Sequence, residues 1–333
     1  MSFYRIAYVM NHSMDTVTKE DAQKLTHINL AFALLKNGRL DLSQLTQIHR
    51  IRDFRRWNPE LKIVLSVGGW AAGGFSTAAM TEDGRKKLAA SCLDAVEQYA
   101  LDGIDIDWEY PCSDAAGIDA DPRDRENFTL LLQAIRDAIG KDRILSVAMG
   151  ADESCAKNAE MDKLPHILDY VQLMTYDMCN GFSTRAGHHA ALSASRGDTS
   201  KNNTRAVVDI YHNAGVPYEK MIIGAAFYAR HFEVETNVNN GLLQPSGPGI
   251  SKASYWQITP EFLAEQGFAK FWDEEAEAAY LWNGKTFVSY ESAEAIRRKS
   301  AYVKETHLLG LMYWEHGHDR TKELLGIIAE ILT

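Results

Sequence analysis

Residues 101–111 read Leu101-Asp102-Gly103-Ile104-Asp105-Ile106-Asp107-Trp108-Glu109-Tyr110-Pro111. Side chains alternate along a strand, so Asp105, Asp107 and Glu109 share one face, while Ile104, Ile106 and Trp108 share the other. The apolar face suits packing against helices. The acidic face suits the interior of a closed barrel of parallel strands, rising toward the C-terminal rim where barrel active sites are built. Carboxylates about 7 Å apart in a poorly hydrated place repel, so protons are retained and pKa values rise. A general acid flanked by two acids that manage its proton fits this pattern. Pairing of all three with core Arg or Lys is disfavoured because the other interior positions supply few cations. A divalent-cation site lacks the loop that calcium sites use.

Working outward, short apolar or β-branched runs alternate with segments of helical periodicity. The expected strands are Arg5–Met10, His27–Ala33, Lys62–Val67, Gly103–Glu109, Ile144–Met149, Tyr170–Tyr176, Met221–Phe227 and Leu309–Trp314. Between them lie helical patterns such as Arg85–Tyr99 and Arg125–Ile139, the second with Asp124 and Glu126 at its entry and Gly140 at its close. Eight β/α units predict an α/β fold, the (β/α)8 TIM barrel. A doubly wound open sheet would call for a Gly-x-Gly-x-x-Gly turn after the first strand, and none is present.

The interval between the seventh and eighth strands is longer than one crossover helix needs. Within it, Ala279–Tyr290 reads as a hairpin with Asn283-Gly284 at the turn. The expected organisation is a catalytic barrel of residues 1–230 and 291–333, interrupted by a small α+β insertion at 231–290 and resumed by a helix near Ala293–Lys304. Tyr255, Trp256, Phe271 and Trp272 form either one wall of a substrate cleft on the catalytic side or the insertion's own core.

The 333 residues, 46% hydrophobic and 24% charged, have the composition of a globular protein. A net charge of -10 argues against a nucleic-acid partner. No apolar run approaches the roughly 20 residues needed to cross a bilayer. Tyr4-Arg5-Ile6-Ala7-Tyr8-Val9 already reads as a strand, without the basic and apolar regions of a signal peptide. A cytoplasmic protein, or a secreted one whose leader was removed, is expected. Cys92, Cys112, Cys155 and Cys179 lack zinc-like spacing and are read as reduced thiols, buried by default. His316, His318 and Asp319 suggest a zinc site only superficially, since a loop running into the last helix explains them.

Ordinary glycosidases place two carboxyl groups on opposite sides of the scissile bond. Asp107 and Glu109 are neighbours on one strand and cannot easily flank it. The nucleophile then comes from water, from Asp177, or from the substrate.

Asp102-Gly103-Ile104-Asp105-Ile106-Asp107-Trp108-Glu109 resembles the Asp-x-x-Asp-x-Asp-x-Glu signature of family-18 chitinases. Ser66-Val67-Gly68-Gly69-Trp70, Gln172-Leu173-Met174-Thr175-Tyr176-Asp177, Phe227-Tyr228-Ala229-Arg230 and Met312-Tyr313-Trp314-Glu315 resemble that family's motifs at the third, sixth, seventh and eighth strands. The resemblance implies hydrolysis of β-1,4-linked N-acetylglucosamine in chitin or chitooligosaccharides, with retention, by a substrate-assisted route. It makes Glu109 the acid/base, gives Asp107 the acetamido N–H, lets Asp105 share the Asp107 proton, and sets Tyr176 on the acetamido carbonyl. Trp314 becomes the apolar floor. Tyr8, Phe32, Ser66, Gly69, Trp70, Tyr110, Met174, Asp177, Tyr228 and Arg230 are the expected substrate-binding residues, with Arg230 a partner for the carboxylates. Ala229 and Cys112 stand where the family often has glycine and are expected to lie clear of the chemistry. A monomer is expected, with no cofactor, no metal, and no nucleic-acid or membrane partner. Other readings are an endo-β-N-acetylglucosaminidase, a peptidoglycan hydrolase of the same fold, and a chitinase-like lectin, which would lack the acid.

Overall fold

The computed structural model describes residues 3–200 and 202–333. Its strands are β1 (Tyr4–Met10), β2 (His27–Lys36), β3 (Arg39–Asp41), β4 (Lys62–Gly68), β5 (Gly103–Asp107), β6 (Ile144–Met149), β7 (Tyr170–Leu173), β8 (Met221–Ala226), β9 (Tyr228–Glu233), β10 (Ile250–Ser254), β11 (Ala269–Asp273), β12 (Ala278–Trp282), β13 (Thr286–Tyr290) and β14 (Gly310–Trp314). Eight of them, β1, β2, β4–β8 and β14, pair in parallel in that order, and β1–β2 pairing closes the ring. This is the TIM barrel expected from the sequence. β3 adds an antiparallel hairpin to the end of β2.

The alternation in β5 places its two faces as the pattern demands. Ile104, Ile106 and Trp108 join the large core between barrel and helices. Trp108 stacks on Phe75, ring centroids 5.4 Å apart, and meets the edge of Phe128 from the helix Asp124–Ile139 at 5.5 Å. Gly140 ends that helix at φ +80°, as its position suggested. Asp124 does more than favour the helix N-terminus. Fully buried, it accepts from Ser76 Oγ at 2.7 Å and the Asp121 amide at 2.8 Å, tying down the chain that follows β5.

Between β8 and β14 the chain forms a second, antiparallel sheet in the order β10-β9-β13-β12-β11. β12 and β13 are the expected hairpin, with Gly284 at φ +93°. The sheet begins at Tyr228, so β9 straddles the boundary expected at 230/231. Phe271 stacks on Tyr280 at 5.2 Å and Trp272 packs on the sheet's own apolar cluster, whereas Tyr255 also packs against the barrel core and Trp256 lies under the Arg320 guanidinium at 4.5 Å. None of these four expected wall residues lines the cavity at the barrel mouth described below.

A buried ion pair locks this region to the barrel. Lys299 Nζ contacts the Glu291 carboxylate and donates to the Gly224 carbonyl at 3.2 Å, while Glu291 accepts from the Ala226 amide at 2.8 Å. All four cysteines are free; Cys92 and Cys155 are buried, whereas Cys112 and Cys179 are only half-buried. No helix among the described residues is long and apolar enough to cross a membrane.

Candidate active site

At the C-terminal ends of the barrel strands lies a cavity of about 800 Å³. Tyr8, Phe32, Trp70, Asp107, Glu109, Tyr110, Met174, Tyr176, Asp177, Tyr228, Arg230 and Trp314 all line it, which brings together twelve of the expected site residues. The other three sit beneath or beside it. Gly69, at φ +92°, leaves room for Phe32; a Cβ there would come within 2.6 Å of that ring. Gly68 lets β4 approach β5, since its Cβ would meet the Asp107 carbonyl oxygen at 2.0 Å.

Asp105 and Ser66 form the layer below. Register places Ser66 and Ser146 on either side of Asp105. Tyr8 Oη and Ser66 Oγ donate to Asp105 Oδ2, each at 2.8 Å. Ser146 Oγ and Gln172 Nε2 donate to Oδ1 at 2.7 and 2.8 Å. Burial raises the Asp105 carboxyl, and these side-chain hydrogen bonds oppose that rise. Four donors thus reach its two oxygens, two on each. Ser146 and Gln172 were not among the expected site residues.

Asp107 has a different environment. It is buried, and its Oδ1 has no hydrogen-bond partner among the described residues. Burial, then the charges of Glu109 and Asp105, push its carboxyl well above the usual range. Glu109, just past the end of β5, is pushed up to about 7, first by burial and more weakly by Asp177, with the Tyr110 hydroxyl opposing. A carboxyl that keeps its proton near neutrality is suited to donate it to a leaving oxygen.

Asp177 is the opposite case. Burial alone would raise it, but His189 and Arg230 overturn that and hold it far below the usual carboxylate range. Arg230 Nε lies 2.5 Å from Asp177 Oδ1, the partnership expected for this arginine, and His189 Nδ1 lies 3.5 Å away. His189 is fully buried and packs on Tyr228 at 5.2 Å. It comes from the long chain after β7 and was not anticipated.

Trp314 is flanked by Phe32, stacked at 5.4 Å and 15°, and by Tyr8 at 5.8 Å. Tyr176 stands edge-on to Tyr228 at 6.3 Å. Trp70 is 55% exposed and reaches toward both Tyr110 and Phe182, each 6.5 Å away. The peptide bonds Ala31–Phe32, Glu109–Tyr110 and Trp314–Glu315 are cis. Cys112, expected to lie clear of the chemistry, lines the cavity at φ +61°, as do Cys155, Ser113, Asp152, Asn158 and Asn180. Asp152 caps the short helix Glu153–Lys157, accepting from the Cys155 amide at 2.8 Å. His316 bonds Tyr313 Oη at 2.9 Å and Lys322 Nζ at 3.0 Å, and Asp319 caps the last helix through the Leu324 amide at 2.9 Å.

A model of the family described as glycosyl hydrolases family 18 matches residues 5–319. Chitinase A1 of Niallia circulans is 33% identical over 83% of this chain and 43% of its own length. Endochitinase 1 of Metarhizium robertsii is 31% identical over 80% of this chain and 63% of its own. The chain thus spans 43% to 63% of the length of these two curated relatives. Among solved structures, a family 18 N-acetylglucosaminidase from Paenibacillus barengoltzii superposes with TM-score 0.95 at 44% identity, covering 99% of both chains. A multi-modular cell-surface chitinase from a Paenibacillus species gives 0.92 at 33% identity, covering 99% of this chain and 33% of its own. With its buried acids at the barrel mouth and a family match over nearly its whole length, the chain belongs to glycosyl hydrolases family 18.

Proposed function

We propose that the chain hydrolyses β-1,4-linked N-acetylglucosamine oligomers, taking chitooligosaccharides and accessible chitin ends, with retention at the anomeric carbon. The acetamido carbonyl of the bound sugar attacks its own anomeric carbon as Glu109 protonates the departing oxygen. Glu109 then takes a proton from the water that opens the cyclic oxazolinium intermediate, and the enzyme regains its starting charge. Asp107 accepts the acetamido N–H and balances the developing positive charge. Tyr176 steadies the carbonyl, and Trp314 carries the apolar face of the distorted ring.

The observation that carries this reading is Asp107 Oδ1: a buried acceptor beside the acid, without a partner of its own. A buried acceptor left unpaired is costly, and an amide N–H from the substrate would remove that cost. The other acids on the cavity wall support the same conclusion. Asp177 is held as an anion by Arg230, and Asp152 caps a helix, so neither is a free carboxylate facing Glu109. The barrel, residues 1–230 and 291–333, supplies the chemistry in this reading, with 231–290 buttressing its rim. The protein acts as a monomer, without a nucleic-acid or membrane partner.

Anomer-resolved NMR of chitotetraose hydrolysis tests the scheme together with a thiazoline mimic of the cyclised sugar. The β-anomer is expected first, and the thiazoline is expected to inhibit strongly. An α-anomeric first product, or indifference to the thiazoline, would remove the substrate's amide from the mechanism.

A further inference from the structure

The cavity is lopsided about Glu109. On the side of β14, β1 and β2, its lining consists of Trp314, Tyr8 and Phe32, one residue at or near the end of each strand. On the side of β4–β7, whole connecting segments rise around it and contribute residues such as Trp70, Ser113, Asn158 and Phe182.

The cause lies in how the chain leaves each strand. After β1 it turns at once into the 3-10 helix Asn11–Thr16, and one residue after β14 it enters another, His316–His318. These two turns are fastened together, with Ser13 Oγ donating to the buried Glu315 at 3.0 Å. Their contact is close, since a Cβ on Gly317 would lie 2.4 Å from Ser13 Oγ. The β2–β3 hairpin folds outward, bonding the Leu40 amide to Ser91 Oγ of the helix Glu82–Tyr99 at 3.1 Å. By contrast, no helix begins after β5 until Asp124, nor after β7 until Thr204. Tyr228 and Arg230 of β9 continue the wall past β8, which leaves the rim over β14, β1 and β2 as the low side; binding clefts need walls that bury most of the ligand.

We infer, resting on the hydrolase reading above, that this enzyme removes N-acetylglucosamine one sugar at a time from the non-reducing end. The sugar whose acetamido group meets Asp107 and Tyr176 lies over Trp314 and fills the short side. Its O4 faces the low rim, where, among the described residues, the cavity lining is only Trp314, Tyr8 and Phe32. The departing oligomer occupies the long side, beyond Glu109. In each turnover the terminal glycosidic C–O bond breaks. The departing O4 gains a proton through Glu109, and the hydroxyl of water ends on C1 of the released monosaccharide.

The test uses chitopentaose labelled with a fluorophore at its reducing end, with products separated at low conversion. The expected first products are unlabelled N-acetylglucosamine and labelled tetramer in equal amounts, the label then stepping down by single sugars. Capping O4 of the non-reducing end with galactose is expected to abolish turnover. Unlabelled chitobiose as the first product would refute the inference, as would early release of a short labelled fragment or undiminished cleavage of the capped pentamer. Absence of turnover with every uncapped oligomer would instead overturn the hydrolase reading itself.

Discussion

Replacing Glu109 by Gln should make the protein more stable as well as inactive, and the gain should depend on pH. The Glu109 carboxyl is pushed from an ordinary 4.5 up to about 7, chiefly by burial. Below pH 4.5 the group is protonated in folded and unfolded chains alike and contributes nothing. Between 4.5 and 7 the folded chain keeps a proton that the unfolded chain has lost, so stability falls as pH rises. Above 7 the full penalty is present. At ~1.4 kcal/mol for each pH unit it amounts to about 3 kcal/mol. Because Asp107 lies next in line and its own carboxyl is raised partly by Glu109, that figure belongs to the pair.

Gln fills the same volume without the charge. Its advantage over the natural protein should therefore be near zero at pH 4 and approach about 3 kcal/mol at pH 8, or about 5 °C in Tm for a chain of this size. Turnover should drop by ~100-fold or more with loss of the proton donor. Calorimetric Tm values of both proteins from pH 4 to 8 provide the measurement. Curves that stay parallel across that range would refute the reasoning, because a carboxyl placed as described cannot lose its charge without a pH-dependent effect.

Asp177→Asn removes one of the charges that hold the Glu109 carboxyl up, so the basic limb of the kcat/KM profile should move to lower pH; a stationary limb would argue against the coupling. Gly68→Ala should destabilise the protein by ~2 kcal/mol or more, read from the urea midpoint, because its φ of +119° is strained for alanine and its Cβ would overlap the Asp107 carbonyl. Lys299→Met leaves Glu291 buried without its cation and should cost about 3–5 kcal/mol, much of it recovered in the double variant with Glu291→Leu. Equal losses in the single and double variants would show that the pair's charge is not what matters.

The barrel is legible in the sequence because its strands are buried on both faces and read as near-continuous apolar runs. Against that background, Asp105, Asp107 and Glu109 stand out at every second position. The second sheet is only half legible. β12 and β13 carry apolar residues and an Asn-Gly turn, whereas β10 is an exposed edge strand, Ile250–Ser254, with no alternation to reveal it. β9 is hidden because a single residue, Phe227, separates it from β8, so one long run reads as a strand and its rim. Ser146 is a small polar residue inside an apolar strand. Only its register with Asp105 identifies it, and register comes from the assembled sheet. His189 lies between β7 and the next helix, where no periodicity directs attention to it. Cys112 stands where the family often has glycine, a position that suggests a turn rather than the cavity wall it forms.

The carboxylate of Asp105 makes the catalytic strand answerable to four others. Its donors come from β1, β4 and β6, with Gln172 adding β7 as a fourth. Any exchange among them alters the negative charge that Asp107 senses two positions later, so acid strength is a property shared across half the barrel. All four donors sit on barrel strands rather than on the connecting segments that shape the cavity. Specificity can therefore be rewritten loop by loop in this protein while the proton chemistry is inherited intact.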